Sequence, residues 1–410
     1  MRILHTSDWH LGSQICGRKR YEEHEAFLTW LLEVITREHA DVLIVAGDIF
    51  DSTTPPNRSL EQYYHFLARA AGSCCRHIII TAGNHDSPSL ISAPRDLCKY
   101  LNITVIGHVP ENPEDLVLVI PNENNRPSVI ICPIPYLRDR DVRTSFAGES
   151  SKEKIANMIS GIKSRYHEIG RCAEDKRKEI GHHIPIIATG HLFTAGGITR
   201  DDDGSRDLFL GNLACVGADA FPPCIDYLAL GHLHLPQKVC GNNHMRYSGA
   251  PLIMGFGEAG KTKSVFLIET GGGGPVSVQD VQVPIFQHYL QISGPFDLIA
   301  SELSRLKFES DSVFVEVLLD DPKIIPDAQE RIRSIITGSP VEVFRVKNIR
   351  LLNQVMQQKE AGESLDQLSP EEVFIRRMDA EKITEADRPE LLESFREIYA
   401  EMLEKDTNSE

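Results

Sequence analysis

The chain has 410 residues, more than one ordinary hydrophobic core organises, so two or three domains are expected. Its 41% hydrophobic and 25% charged content is that of a globular protein, and no apolar stretch approaches membrane-spanning length. The net charge of −16 argues against strong nucleic-acid binding by the chain alone, although −9 of it falls in residues 351–410, where 16 acidic side chains face 7 basic ones. The opening residues read as a strand, not as a charged segment before an apolar signal core, so a cytoplasmic location is expected. Nine cysteines, an odd number that includes the adjacent pair Cys74 and Cys75 but no Cys-x-x-Cys, read as reduced, mostly packed thiols.

The first element is a short apolar run from Ile3 that reads as a buried strand and ends in Asp8 and His10, which share a side of an extended chain. Gly12 to Arg20 reads as a polar loop. Tyr21 to His39 reads as a helix with Phe27, Leu28, Leu31, Leu32 and Ile35 on its apolar face, and with His24 and His39 at the surface. Val42 to Ala46 is a strand that delivers Asp48 through Gly47, followed by a turn-rich loop from Asp51 to Arg58. A helix near Leu60 to Ala71 leads to the strand Ile78 to Ala82, which delivers Asn84 and His85 through Gly83. Ile103 to Ile106 and Val129 to Ile131 look like strands of a second sheet.

Ser151 to Ile180 is charged and helix-favouring and is expected on the outside of the core, with His182 and His183 at its end. Two more strands follow the earlier pattern: Ile186 to Thr189 delivers His191 through Gly190, and Tyr227 to Leu230 delivers His232 and His234 through Gly231. Between them, residues 196–204 are Gly- and Asp-rich and read either as a loop at the site's rim that tracks a phosphate backbone, with Arg200 a candidate contact, or, given three successive Asp, as a solvated turn. Met245 to Ser248 and Val265 to Ile268 are further strands, and the first domain is expected to close at residue 284. Residues 285–350 alternate strand, helix, strand, helix, strand and read as a small α+β domain. Residues 351–410 begin as a polar linker. Ser369, Pro370 and Glu372 then mark a helix start, and Leu391, Leu392, Phe395, Ile398, Tyr399, Met402 and Leu403 form an apolar stripe on an acidic helix, suited to docking on a partner.

Five strands thus end in one chemistry. Ligand-type residues at strand ends converge only when the strands share sheets, and they then line the crevice beyond the carboxyl edge. Asp8, His10, Asp48, Asn84, His191, His232 and His234 mix carboxylate, amide and imidazole without cysteine. That mixture suits hard-to-borderline divalent ions and not a structural zinc site. Seven donors exceed what one ion needs. Two ions about 3.5–4 Å apart sharing a carboxylate would use them all, an arrangement that activates water and clamps a phosphoryl group. Strands alternating with helices, then a strand-rich second half, suggest two facing sheets with helices outside.

The motifs Asp8-x-His10, Gly47-Asp48, Gly83-Asn84-His85-Asp86, Gly190-His191 and Gly231-His232-x-His234 resemble those of the calcineurin-like metallophosphoesterases. The opening Met1 to Gly12, the run Ala46 to Asp51 and Tyr247 to Pro251 resemble, more narrowly, the SbcD family of double-strand-break repair nucleases. The resemblance covers residues 1–285 strongly. It implies an α/β fold, a four-layer α/β/β/α sandwich with a small capping domain and a C-terminal helical tail.

It also implies a pair of Mn²⁺ ions, one held by Asp8, His10, Asp48 and His234 and the other by Asp48, Asn84, His191 and His232. His85 is then the proton donor and Asp86 its orienting partner; in the loop beside the site Arg58 reads either as a phosphate contact or as a solvated residue. Where archaeal relatives carry a histidine, this chain has Asp51. The implied activity is exonucleolytic on duplex ends, 3′ to 5′, and endonucleolytic on single strands and hairpins. The implied partners are DNA, a second copy of the chain, and an SbcC-like coiled-coil ATPase docked on the C-terminal helices. No Gly-x-x-x-x-Gly-Lys-Ser/Thr sequence is present, so ATP chemistry belongs to that partner. Two other readings fit the same core: a small-molecule phosphatase or cyclic-nucleotide phosphodiesterase, against which the 285–410 extension speaks, and a non-catalytic scaffold, which would lack ligands.

Overall fold

The structure, a computed structural model, describes residues 1–142, 150–194, 216–271, 276–307, 312–321, 325 and 327–349, and seven positions between 374 and 395. Two compact units divide the chain: Met1–Gln291 with Asp311–Phe314, and Ile292–Ser310 with Val315–Glu410.

In chain order the first unit contains β1 (Arg2–Thr6), a small hairpin of β2 (Gln14–Ile15) and β3 (Arg18–Lys19), α1 (Tyr21–Arg37), β4 (Val42–Ala46), α2 (Asn57–Ala71) and β5 (His77–Thr81). The short helices α3 (Pro88–Ser92) and α4 (Arg95–Lys99) follow, then β6 (Ile103–Ile106), β7 (Leu118–Pro121), β8 (Pro127–Cys132), α5 (Asp139–Val142) and α6 (Ser151–Ile180). The remaining strands are β9 (Ile186–His191), β10 (Tyr227–Gly231), β11 (Gln237–Lys238), β12 (Met245–Tyr247), β13 (Lys263–Glu269), β14 (Ser277–Val283) and β15 (His288–Gly294), the last of which runs on into the second unit.

The strands form two six-stranded sheets, in the orders β14-β13-β1-β4-β5-β6 and β11-β12-β10-β9-β8-β7. In the first, β1, β4, β5 and β6 are mutually parallel. In the second, β12, β10, β9 and β8 are. Parallel strands buried on both faces must be apolar throughout, as Val42 to Ala46 and Tyr227 to Leu230 are, and all of them end at one edge. Ile103–Ile106 extends the first sheet beside β5, so the expectation that it belongs to the second sheet is corrected. Its β-branched alternation fits either sheet, and only pairing decides.

Three apolar clusters fill the unit. One lies between the sheets and includes Ile3, Val42, Ile44, Ile79, Ile131, Ile187 and Tyr227. A second joins the first sheet to α1 and α2 through residues such as Leu43, Phe27, Leu31 and Phe66. A third joins the second sheet to α6, whose Ile162, Tyr166, Ile169 and Ala173 are buried although the helix is strongly charged overall. Helices therefore cover the outer face of each sheet, which leaves the carboxyl edges of the parallel strands as the uncovered place where their loops meet.

The second unit carries α7 (Phe296–Leu306), β16 (Val313–Leu319), α8 (Ala328–Ile336) and β17 (Val341–Asn348), with a sheet in the order β15-β16-β17. Glu316 is fully buried on β16 and is held by Arg345 at 2.6 Å and Lys347 at 3.2 Å from β17, a cross-strand pairing that makes its burial tolerable. Farther on, the Phe374 and Phe395 rings stack with centroids 4.4 Å apart.

Candidate metal centre

The loops that leave β1, β4 and β5 are zipped together beyond the strand ends. Asp8 donates its N–H to Gly47 O (2.9 Å), His10 to Asp48 O (3.1 Å) and Leu11 to Ile49 O (2.9 Å), so the Asp8–His10 pair rides beside Asp48 in fixed register. From the facing sheet, His191 Nδ1 reaches the Ala46 carbonyl at 3.0 Å. Gly47 permits this closeness: its φ is +87°, and a side-chain carbon there would run into the His191 ring. Gly83 does the same for the Asp48 carboxylate.

Around these loops, His191 Nε2 lies 3.1 Å from Asp48 Oδ2 and 3.0 Å from Asn84 Oδ1, and His232 Nδ1 is also 3.0 Å from Asn84 Oδ1. The His232 N–H donates to Asp8 Oδ1 at 2.8 Å. Asp8 is also hydrogen-bonded to Ser7 Oγ, which in turn meets Ser248 Oγ at 2.7 Å. The rings of His10 and His234 meet edge to face, with centroids 5.0 Å apart. Candidate donor atoms of Asp8, His10 and His234 form one tight group and those of Asp48, His191 and His232 another; a third comprises His10, Asp51 and His85. All seven sequence-predicted metal ligands thus lie in one neighbourhood.

Backbone conformation marks the same place. Asp8, His10, Asp48 and His232 have φ of 52°, 44°, 49° and 102°, a left-handed region that costs a non-glycine residue about 1–2 kcal/mol. Such strain persists where surrounding contacts over-determine it, typically at functional sites.

The electrostatics call for positive charge. Asp8 and Asp48 are at most 1% exposed. Burial pushes the Asp48 carboxyl up, but His191, then His10 and His85, outweigh it and hold Asp48 well below the usual carboxylate range. Burial pushes His191 down, yet the facing Asp48 dominates and raises it to about 9. His232, with imidazoles beside it, is pushed down to about 3, chiefly by burial. Both His10 ring nitrogens are buried without a well-aligned hydrogen bond among the described residues; each faces a carboxylate, Nδ1 at 3.2 Å and Nε2 at 3.7 Å. Buried carboxylates, imidazole nitrogens short of partners and an amide oxygen shared by two histidines fit divalent cations, whose charge and coordination would satisfy all of them.

Residues 1–236 match the family described as calcineurin-like phosphoesterase, and residues 286–382 match one described as type 5 capsule protein repressor C-terminal domain. Proteins named as the SbcD component of the SbcCD nuclease are similar along the chain. The one from Escherichia coli K12 is 36% identical over 96% of this chain and 97% of its own length. The one from Rhodobacter capsulatus is 33% identical over 75% of this chain and 76% of its own, and that from Bacillus subtilis 32% over 68% and 69%. The chain belongs to the SbcD family of calcineurin-like phosphoesterases.

In this SbcD-family site His85 stands beside the ligand group. Its backbone N–H donates to Asp48 Oδ1 at 2.9 Å, and its ring meets that of His10 edge to face at 4.9 Å. The expectation that Asp86 orients it is corrected. His85 Nδ1 is 2.9 Å from the backbone oxygen of Asp51, whereas the buried Asp86 carboxylate accepts the N–H groups of Gly83 (2.8 Å), Phe50 (3.0 Å) and Ile49 (3.2 Å). Asp86 therefore clamps the β4 loop to the β5 loop. Burial, with the Asp48 charge adding to it, pushes it up to about 6 against those three donors.

Arg58 sits in the first turn of α2 and not in the preceding loop. It pairs with Glu22 at 2.9 Å and stacks over the Tyr21 ring at 4.5 Å. Arg200 lies outside the described residues, as do residues 196–204. His24, expected at the surface, is 1% exposed, with Nε2 3.4 Å from Ser13 Oγ in the loop that follows β1. His182 and His183 are exposed.

Sequence reading missed a buried ion pair behind His234. Lys263 Nζ contacts Glu258 Oε2 at 2.6 Å and donates to the His234 carbonyl at 2.9 Å. Its signal in the sequence is weak: Glu258 and Lys263 stand with Lys261 in a short glycine-containing stretch, and nothing there tells which of the charges is buried.

Proposed function

We propose that this chain is the nuclease component of a DNA-processing complex, hydrolysing phosphodiester bonds at a centre that takes two divalent cations, Mn²⁺ foremost. The observation that carries the reading is the meeting of seven ligand-type side chains from five parallel strand ends, set in a family whose relatives are named as components of the SbcCD nuclease. Asp8, His10 and His234 would hold one ion and Asn84, His191 and His232 the other, with Asp48 between them. When bound, the ions supply Lewis acidity: they make a water nucleophilic near neutral pH and offset charge on the phosphoryl oxygens.

The chain's own groups do the rest. Asp8 and Asp48 are fixed by the zipped loops and by cross-sheet contacts, so little reorganisation accompanies binding. His85, tethered through Nδ1 to the Asp51 carbonyl, keeps Nε2 for passing a proton to the leaving oxygen. The helix–sheet–sheet–helix sandwich of residues 1–284 carries this chemistry; residues 285–350 form a cap that selects substrate, and residues 351–410 dock on an SbcC-like coiled-coil ATPase. The exposed Tyr64, Leu97, Tyr100 and Leu101 on and after α2 and α4 suit pairing with a second copy of the chain. Given the net charge of −16, the isolated chain binds duplex DNA weakly and relies on its partner for grip.

The test is Mn²⁺-dependent cleavage of hairpin-ended and blunt duplex DNA, with and without the ATPase partner, beside hydrolysis of a nucleotide monoester. DNA cleavage that chelation abolishes is expected. Turnover of the monoester without DNA cleavage would favour the phosphatase reading. Truncation after Arg350 should remove binding of the ATPase partner and leave Mn²⁺ binding intact.

A further inference from the structure

Residue 51 is a junction in the architecture of the site. Its backbone N–H donates to Leu11 O at 3.3 Å, the last rung of the ladder that joins the β1 loop to the β4 loop. Its backbone oxygen lies 2.9 Å from His85 Nδ1 in the β5 loop. Its carboxylate Oδ1 lies 3.2 Å from His10 Nδ1, while His10 Nε2 points the other way, 3.7 Å from Asp48 Oδ2. The two nitrogens of one buried ring thus face two different carboxylates. Asp48 belongs to the central ligand group; Asp51 stands at its rim, with its side chain 40% exposed.

We propose that Asp51 is a positioning residue of this centre, its carboxylate holding the Nδ1–H of His10 so that Nε2 is presented to a divalent cation, and its carbonyl holding the Nδ1–H of His85. The inference rests on the two-cation reading above. A histidine that ligates a metal through one nitrogen needs its other N–H fixed by an acceptor, which sets the tautomer, the ring plane and the basicity of the ligating atom. Proximity singles out that acceptor: among the described residues Asp51 is the carboxylate paired with His10 Nδ1, at 3.2 Å, a contact that a small turn of the ring on cation binding would align as a hydrogen bond. Because the two functions use different parts of one residue, they separate on mutation. Replacing the side chain releases His10, while the carbonyl on His85 remains.

Titration calorimetry of the metal-free full-length chain with Mn²⁺ tests this on the wild type, Asp51→Ala, Asp51→Asn, His10→Ala and the double variant Asp51→Ala/His10→Ala. Asp51→Ala is expected to weaken one of two Mn²⁺ sites about 10–100-fold and leave the other unchanged. Asp51→Asn, which keeps an oxygen acceptor without the charge, is expected to fall between. If Asp51 acts through His10, the double variant binds no more weakly than His10→Ala. In hairpin-DNA cleavage, Asp51→Ala should lower kcat with KM unchanged.

Wild-type Mn²⁺ affinity at both sites in Asp51→Ala would overturn the proposal. So would a further loss in the double variant, which would make Asp51 a direct ligand. A wild type that binds no Mn²⁺ would overturn the two-cation reading beneath it, a distinguishable result. Should Asp51→Ala unfold, shown by its metal-free melting curve, the isosteric Asp51→Asn decides alone.

Discussion

The two sheets contribute opposite chemistry to the site. The first brings almost all the oxygens: Asp8, Asp48, Asn84, and beside them Asp51 and Asp86, with His10 and His85 interleaved. The second brings imidazoles only, His191, His232 and His234. Each buried carboxylate of the candidate centre is met from across the gap, Asp48 by His191 at 3.1 Å and Asp8 by the His232 N–H at 2.8 Å. Each of the two carboxylates thus has a partner on the opposite sheet, beside the His10 and His85 rings of its own, and the full set of side chains assembles only when the sheets are packed face to face. Function is thereby tied to the apolar cluster between them.

Substitutions on the two sides probe that division. Asp48→Ala removes the carboxylate placed between both ligand groups, so cleavage is expected to fall on the order of 10⁴-fold, with both ions lost in a calorimetric titration. Loss of a single ion would break the picture of a shared carboxylate. His85→Ala should cost about 10²–10⁴-fold in cleavage rate with both ions still bound; lost metal would make it a ligand instead. Gly47→Ala places a carbon against the His191 ring at a φ of +87°, and denaturant unfolding should show a loss of about 1–3 kcal/mol.

His5 lies between the sheets, bonded through Nδ1 to Tyr227 Oη at 3.0 Å, and burial holds it down at about 3. From about pH 6.5 to 3 the unfolded chain takes up a proton there and the folded chain does not. Stability therefore declines with acidification, by at most roughly 1 kcal/mol per pH unit for this group. His5→Gln should flatten the pH dependence of the unfolding free energy, and an unchanged slope would refute the assignment. Smallest of all, Arg58→Ala removes an exposed ion pair with Glu22 and should change stability by no more than about 0.5 kcal/mol. A large rise in KM for DNA would nonetheless mark it as a phosphate contact.

The convergence of these residues was legible in the sequence because each candidate ligand group follows a buried strand and, in four of five cases, a glycine, and parallel strands have one carboxyl edge. What escaped was contact made by backbone or by residues without a pattern. The Asp51 carbonyl on His85 has no side-chain signature. Asp86 follows His85 in sequence and so reads as its companion, yet it turns to three backbone N–H groups, because an Asp beside two loop ends finds more donors there. Ile103 to Ile106 suits either sheet by composition, and pairing with β5 decides. His24 reads as polar surface because nothing in its helix announces the β1 loop, with Ser13, against which it is buried.

Four residues in left-handed backbone and a buried ring with neither nitrogen well hydrogen-bonded make this pocket expensive to fold without cations. Any ion that binds the native pocket and not the open chain adds RT ln(1 + [ion]/Kd), about 2.7 kcal/mol at a hundredfold excess over Kd. The supply of the divalent ion it takes would then govern how many copies survive proteolysis as well as how fast each one cuts. A chelator would deplete the protein before it merely slowed it.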